Sequence, residues 1–341
     1  MDMPATPTIA QYEGADFTQF SEVIRVRREP ALLKGVVAHW ASVKAAQTSD
    51  EALASYLSGH DTGETAGVYV APARVKGLFF YGFDTHDTNF SHGPATLAEV
   101  LSRLLAERSK AEPMAISLQS TPVARLMPGF GEENRLDLLP DVPPRIWVGN
   151  AVVTRTHYDL NDNIACVVAG RRRFSLFPPE QTPNLYPGPY ERTIGGVPVS
   201  MVDPDAPDLT RYPRFAEAQK ARIDVELEPG DALYIPYGWW HQVRSLSPFN
   251  VLVNYWWDAA AQADAAPSEA FLHAILAIRD LPEHERGVWR NLFSHYVFGD
   301  NGDPVAHLSA RDKGLYGPLD AGLRRRLKRQ LQKALEDKPK P

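Results

Sequence analysis

Leu97, Val100, Leu101, Leu104 and Leu105 recur at helical spacing within residues 96–107, so that segment carries one apolar stripe and is expected to be a helix. Residues 15–58 also read mainly as helix, broken by a short strand at Ala31–Val36 that leads into His39 and Trp40. Between 65 and 92, β-rich runs such as Gly67–Ala71 and Gly77–Tyr81 are separated by polar turns. From about residue 114 to 258 strand patterns dominate, with Arg145–Val148, Ile164–Val168, Arg173–Phe177, Val225–Leu227, Ala232–Ile235 and Phe249–Trp257 as the clearest runs. Turn chemistry such as Pro229-Gly230-Asp231 punctuates them, and the 29 prolines are spread along the chain instead of marking one linker. Several short strands in one stretch predict a sandwich or a jelly-roll barrel, so the fold class is mainly β with flanking helices. After Trp257 helical patterns return, at 267–283 and 319–337. In the last segment Leu323, Leu327, Leu331 and Leu335 share a stripe, and Arg324, Arg325, Arg326, Lys328 and Arg329 occupy the other faces. Such a helix is expected to pack or dimerise while its basic face stays solvated.

A chain of 341 residues can hold one large domain with an appendage, and the patterns divide it three ways. Residues 1–110 form a helical and β region packed on the core, 111–260 a β core, and 261–341 C-terminal helices that suit a homodimer. The net charge of -6 argues against a general nucleic-acid binder and leaves room only for a local basic groove, so RNA stays open as a partner. The single cysteine, Cys166, allows no internal disulfide and fits a reducing compartment; within the apolar run Ile164–Val168 it reads as a buried core residue. Met1-Asp2-Met3-Pro4 lacks the charged and apolar regions of a secretory signal. No stretch approaches the roughly 18 apolar residues of a membrane span. The expected location is the cytoplasm, away from any membrane.

Among ten histidines only His157 begins a His-x-Asp pattern, His157-Tyr158-Asp159. On a strand, residues i and i+2 project to one face, so both side chains can reach one point. A third candidate, His241, follows Tyr234-Ile235-Pro236-Tyr237-Gly238-Trp239-Trp240 on a later strand. Two imidazoles and one carboxylate on one face of an octahedron leave three positions open, the arrangement of non-haem Fe(II) oxygenases. Two open positions suit a chelating cosubstrate and one suits O2. A bare His-x-Asp is a weak signal; the Pro-Gly-Asp turn, the Tyr-Ile-Pro strand and the Trp-Trp-His ending strengthen it. The cosubstrate that usually serves such a site is 2-oxoglutarate, whose far carboxylate needs a fixed cation inside an apolar barrel. Strand alternation sets Arg172 on the opposite face from Arg171 and Arg173, so Arg172 is the inward cation. Thr154, three residues before the first ligand, offers a second hydrogen bond. Asn163 and Asn254 lie on strands expected to line the metal and are candidates for orienting the chelating end.

The ordered string Thr154-x-x-His157-Tyr158-Asp159, Gly170-Arg171-Arg172-Arg173-Phe174-x-Leu176-Phe177-Pro178-Pro179, Pro229-Gly230-Asp231-x-x-Tyr234-Ile235-Pro236-x-x-Trp239-Trp240-His241 and Val253-Asn254-x-Trp256 resembles the cupin-like JmjC hydroxylases. That family includes an asparaginyl hydroxylase and a tRNA wybutosine hydroxylase. The resemblance is strong over about 145–258 and extends weakly to the segment from Pro30 to Trp40. It implies a double-stranded β-helix, Fe(II) at His157, Asp159 and His241, and 2-oxoglutarate held by Arg172 and Thr154 beside Asn163 and Asn254. Relatives often have lysine where this chain has Arg172, which changes the depth of the pocket. Ser117 falls where the asparaginyl hydroxylase has a cosubstrate-binding tyrosine, and Gln119 matches a glutamine near its substrate. Gln119, Trp239 and Trp256 are the candidate substrate-side residues. The expected activity is hydroxylation of a protein side chain, with succinate and CO2 as coproducts. The alternatives are a modified nucleobase or small metabolite as substrate, or a non-catalytic binding module.

Overall fold

The structure, a computed structural model, describes residues 7–258 and 266–336. The expectations for Met1-Asp2-Met3-Pro4, for a boundary at 260 and for residue 337 fall outside these. Contacts divide the chain into two compact units, Met1–Ala259 and Ala260–Pro341.

The first unit is built on strands β1 (Ala10–Glu13), β2 (Ala31–Lys34), β3 (Thr65–Ala71), β4 (Leu78–Phe79), β5 (Ser91–Thr96), β6 (Ala115–Pro122) and β7 (Pro144–Gly149). These are followed by β8 (Val153–Tyr158), β9 (Asp162–Ala169), β10 (Arg172–Phe177), β11 (Ile223–Leu227), β12 (Ala232–Ile235), β13 (Trp240–Ser245) and β14 (Asn250–Trp257). Among the described residues they make a nine-stranded sheet in the order β1-β2-β12-β9-β14-β7-β6-β3-β5 and a five-stranded sheet in the order β11-β10-β13-β8-β4. The chain is mainly β with flanking helices, in a cupin-like arrangement.

Burial explains the sequence patterns. In β9, Ile164, Cys166 and Val168 join a core shared with N-terminal helical residues, and Ala165 and Val167 join a second core with Phe174 and Leu176 of β10. A strand covered on both faces shows a continuous apolar run and no alternation, as Ile164–Ala169 does. Strand β10 has a wetter outer face, so it alternates: Phe174 and Leu176 face the inter-sheet core, while Ser175 bonds Asp224. The helix Leu97–Glu107 starts at a capping box, in which Thr96 and Glu99 satisfy each other's backbone N–H, and it buries Leu97, Val100, Leu101 and Leu104.

Three expectations change. Residues 1–110 are no separate layer, because β1, β2, β3 and β5 hydrogen-bond into the same sheet as β6, β7, β9, β12 and β14. Sheet edges are satisfied by pairing, and here the N-terminal strands supply it. The run Gly77–Tyr81 contributes only Leu78–Phe79 as strand, with Tyr81 in an isolated bridge to Thr88. The segment 267–283 holds a helix only over Pro267–Ile278, and Pro282 caps a new helix, Glu283–Phe293. The last helix spans Ala321–Glu336.

Candidate active site

The site forms between the sheets, around one irregularity. Strands β8 and β13 pair antiparallel with His241 opposite His157 but Val243 opposite Thr154. Three steps along β8 thus match two along β13, which is a β-bulge. Plain alternation would put Thr154 and His157 on opposite faces. The extra residue brings both onto the lining of one cavity. Arg155 sits in the bulge, its guanidinium 4.4 Å over the Phe80 ring and 3.2 Å from an Asp203 carboxylate oxygen.

Asp159 follows directly on β8, and its backbone carbonyl accepts from Gly238 N–H at 2.9 Å, tying it to the loop before β13. One ligand atom from each of His157, Asp159 and His241 lies within 4.8 Å of the others, the one such cluster of three among the described residues. The two imidazoles are 4.3 Å apart between centroids, and His241 Nε2 is 3.6 Å from Asp159 Oδ2. His157 Nδ1 lies 2.7 Å from the Arg155 carbonyl oxygen, and His241 Nδ1 lies 3.0 Å from that of Trp239. A carbonyl can only accept, so each Nδ1 carries the proton and each Nε2 lone pair is free for a metal. Burial and the neighbouring His157 push the pKa of His241 down to about 4, which keeps it in the neutral form that coordinates.

Arg172 lines the same cavity. It is buried, burial draws its pKa down to about 10, and its Nε has no hydrogen-bond partner. Its neighbours Arg171 and Arg173 pair outward with Glu226 and Asp205. An isolated buried guanidinium is costly unless an anion completes it. Asn254 accepts from the Trp147 indole at 2.9 Å and donates to Asn163 Oδ1 at 3.2 Å. That relay fixes both amides and leaves the Asn163 nitrogen available as a donor. Thr154, Asn163, Arg172 and Asn254 share one cavity with His157, Asp159 and His241.

Of the substrate-side candidates, Gln119 and Trp256 line the cavity and Trp239 does not. The Trp239 indole instead donates to the Arg28 carbonyl at 3.2 Å. Gln119 donates to the Ser117 hydroxyl at 2.9 Å. Sequence reading did not single out Tyr69, Trp147, Ile194 or Val197, which also line the cavity. Trp147 had a signal, since alternation in β7 sets it opposite Ile146. Ile194 and Val197 lie outside the strands, where no periodicity points inward.

A family model described as a cupin-like domain matches residues 17–263. The chain belongs to the cupin-like domain family. Parts of it are similar to several other proteins. Over 114 residues it is 40% identical to lysine-specific demethylase JMJ31 of Arabidopsis thaliana, covering 33% of this chain and 20% of that one. Over 153 residues it is 37% identical to HSPB1-associated protein 1 of Homo sapiens, covering 43% of this chain and 30% of the relative. Over 141 residues it is 37% identical to the bifunctional peptidase and (3S)-lysyl hydroxylase JMJD7 of Homo sapiens, covering 36% of this chain and 43% of the relative. The chain thus spans less than half the length of each of these relatives. This cupin-like domain brings together two imidazoles and a carboxylate, a donor set that fits Fe(II), and a buried cation that fits the far carboxylate of 2-oxoglutarate. No helix among its described residues is long and apolar enough to cross a membrane.

Proposed function

We propose that this protein is an Fe(II)- and 2-oxoglutarate-dependent hydroxylase of a protein side chain, releasing succinate and CO2, and that it works as a homodimer through its C-terminal helices. One observation carries the catalytic reading: the unpaired, buried Arg172 guanidinium shares a cavity with the His157, Asp159 and His241 cluster. A metal-binding module alone has no use for that cation, whereas a chelating dicarboxylate needs it. Names of two relatives place their reactions on lysine, which favours a protein side chain as acceptor here.

Iron held by these residues would let O2 oxidise 2-oxoglutarate to succinate and CO2, one oxygen atom going into the succinate and the other into a substrate C–H bond. The chain's own residues do the holding. His157, Asp159 and His241 would hold the metal. Arg172 takes the far carboxylate, the Thr154 hydroxyl adds a hydrogen bond, and the fixed Asn254–Asn163 pair offers a donor to the chelating end. Ala165, Phe174, Val243 and Leu252 line the cavity with apolar surface and keep water from these groups.

The deciding measurement is succinate release from 2-oxoglutarate by iron-loaded protein, compared with His157→Ala. Turnover that needs iron and vanishes in the variant is the expected result. A wild-type protein that neither binds nor turns over 2-oxoglutarate would sink the reading. Mass spectrometry of cell extract, searching for a peptide heavier by one oxygen atom only when 2-oxoglutarate is present, then identifies the acceptor.

A further inference from the structure

Once the metal ligands and the cosubstrate residues are set aside, the remaining cavity lining carries almost no charge. Asp159 is its one carboxylate among the described residues, and it is a metal ligand. Arg155 is its one cation besides Arg172, and it is stacked on Phe80 beside Asp203. Besides Trp147, Trp256 and the apolar residues Ala165, Phe174, Val243 and Leu252, what is left of the lining is Tyr69, Phe79, Ile194, Gly195, Val197 and Val199, with Gln119 as a polar exception. The last four of the six come from a single segment, 188–199.

That segment is a strap with a closed base and a tip latched to the barrel. Its ends meet where Gly188 N–H donates to the Val199 carbonyl at 2.8 Å, next to a Pro187–Ser200 bridge. The Tyr69 hydroxyl donates to the Ile194 carbonyl at 3.0 Å, and the Tyr81 hydroxyl donates to the Arg192 carbonyl at 2.6 Å. Tyr69 is itself cavity lining, wedged against Phe90 at 4.4 Å and Phe79 at 5.7 Å between ring centroids. One phenol therefore touches the space a substrate enters and holds the wall on its other side.

We infer that residues 188–199 are the substrate wall of this site, positioned by Tyr69, and that the group admitted is an uncharged, apolar side chain, not the ammonium of lysine or the guanidinium of arginine. The inference rests on the hydroxylase reading and narrows it. A charged amine pressed against Ile194 and Val197 would lose its hydration with no carboxylate to replace it. Leucine-like or aromatic groups lose nothing there, and Gln119 is placed to meet one polar atom of such a group or of its backbone.

The test uses full-length protein with Mn(II), which replaces iron without turnover, and saturating 2-oxoglutarate. N-acetyl N-methylamides of leucine, phenylalanine, lysine and glutamate, together with adenosine, are compared by saturation-transfer NMR. The expected result is binding of the leucine and phenylalanine probes at least about tenfold tighter than lysine or glutamate. Val197→Asp and, as a second variant, Ile194→Asp, each checked for folding by a thermal melt, are expected to shift that preference toward lysine by a similar factor. In Tyr69→Phe, hydrogen–deuterium exchange over 188–199 is expected to rise at least about tenfold, as the latch is lost. Preference for lysine in the wild type overturns the inference, as does unchanged selectivity in both aspartate variants. Preference for adenosine overturns its side-chain class. Absence of any 2-oxoglutarate signal overturns the hydroxylase reading itself, a failure that the probes alone cannot produce.

Discussion

His157 and His241 reach the same local solution on two different strands: each ring bonds the carbonyl two residues before it, and His241 turns Nε2 toward Asp159. Because the backbone sets the tautomer, the site is organised before a metal arrives. Asp159→Ala is expected to abolish tight Fe(II) or Mn(II) binding, measured by calorimetry, while the melting temperature of the metal-free protein holds or rises as a half-buried charge is removed. At Arg172 the side chain's size matters as well as its charge. Arg172→Ala is expected to weaken 2-oxoglutarate by about 2–5 kcal/mol, which titration calorimetry would read as a loss of some thirtyfold or more. Arg172→Lys keeps the charge but loses the two-pronged grip and is expected to fall between. An alanine variant that binds 2-oxoglutarate normally would show that another group holds the carboxylate. The inward direction of Arg172 was legible from alternation alone, because β10 is regular. The shared face of Thr154 and His157 was not, because the bulge that creates it is a matter of pairing with β13 and leaves no periodic mark.

At the scale of elements, the outer face of the five-stranded sheet poses a problem of like charge. Arg173 of β10 and Arg244 of β13 stand directly opposite each other, and Arg222, just before β11, adds a third cation. Asp205 in the covering segment accepts from all three, at 2.5 Å from Arg173 and 2.8 Å from Arg222 and Arg244. Burial alone would raise this carboxyl's pKa, but the hydrogen bonds from Arg222 and Arg244 and the charge of Arg173 outweigh it and hold the group below its ordinary value. The sign follows from that depression. The stabilisation is complete above the ordinary carboxylate value of about 4 and is lost as pH falls through the lower folded-state value. Asp205→Asn is expected to cost about 2 kcal/mol at neutral pH, since it leaves Arg173 and Arg244 facing each other without their shared anion and leaves Arg222 with Asp224 alone. For a domain of this size that lowers the melting temperature by roughly 4–8 °C. The variant should also lack the part of the wild type's acid loss that sets in below about pH 4. Equal melting curves for the two proteins across that range would contradict this account. Most strands were legible as runs of apolar residues, β9 most plainly because both its faces are covered. Their lateral order was not: β12 lies between β2 and β9, and β14 between β9 and β7. The strap escaped for the same reason, since its tip is held by two tyrosine hydroxyls from distant parts of the chain, a contact with no local pattern.

At the scale of the whole molecule, the two units differ in how they treat apolar surface. The first packs apolar side chains into cores such as those around Val167 and Ile164, although Phe17, Val26 and Phe83 are exposed on it. In the second, Leu276, Val297, Phe298, Leu331 and Leu335 are 73%, 64%, 70%, 50% and 61% exposed. Neighbouring turns of the helix Ala321–Glu336 carry Arg325, Arg326 and Arg329, so the exposed leucines form an edge beside basic surface. Monomers seldom leave apolar side chains so open in one region, and a second copy of the chain offers the same surface by symmetry. A stable two-fold interface needs about 800 Å² from each partner, to which the exposed leucines of this helix would contribute. Light scattering on the full chain at micromolar concentration is therefore expected to give twice the 37.9 kDa chain mass. The double variant Leu331→Glu, Leu335→Glu places four new carboxylates across a symmetric interface and is expected to return the monomer mass. Its binding of 2-oxoglutarate should persist, because His157, Asp159, His241 and Arg172 all belong to the first unit. A wild type that scatters as a monomer would refute the dimer and leave the metal site untouched. A double variant that stays dimeric would move the interface off this helix.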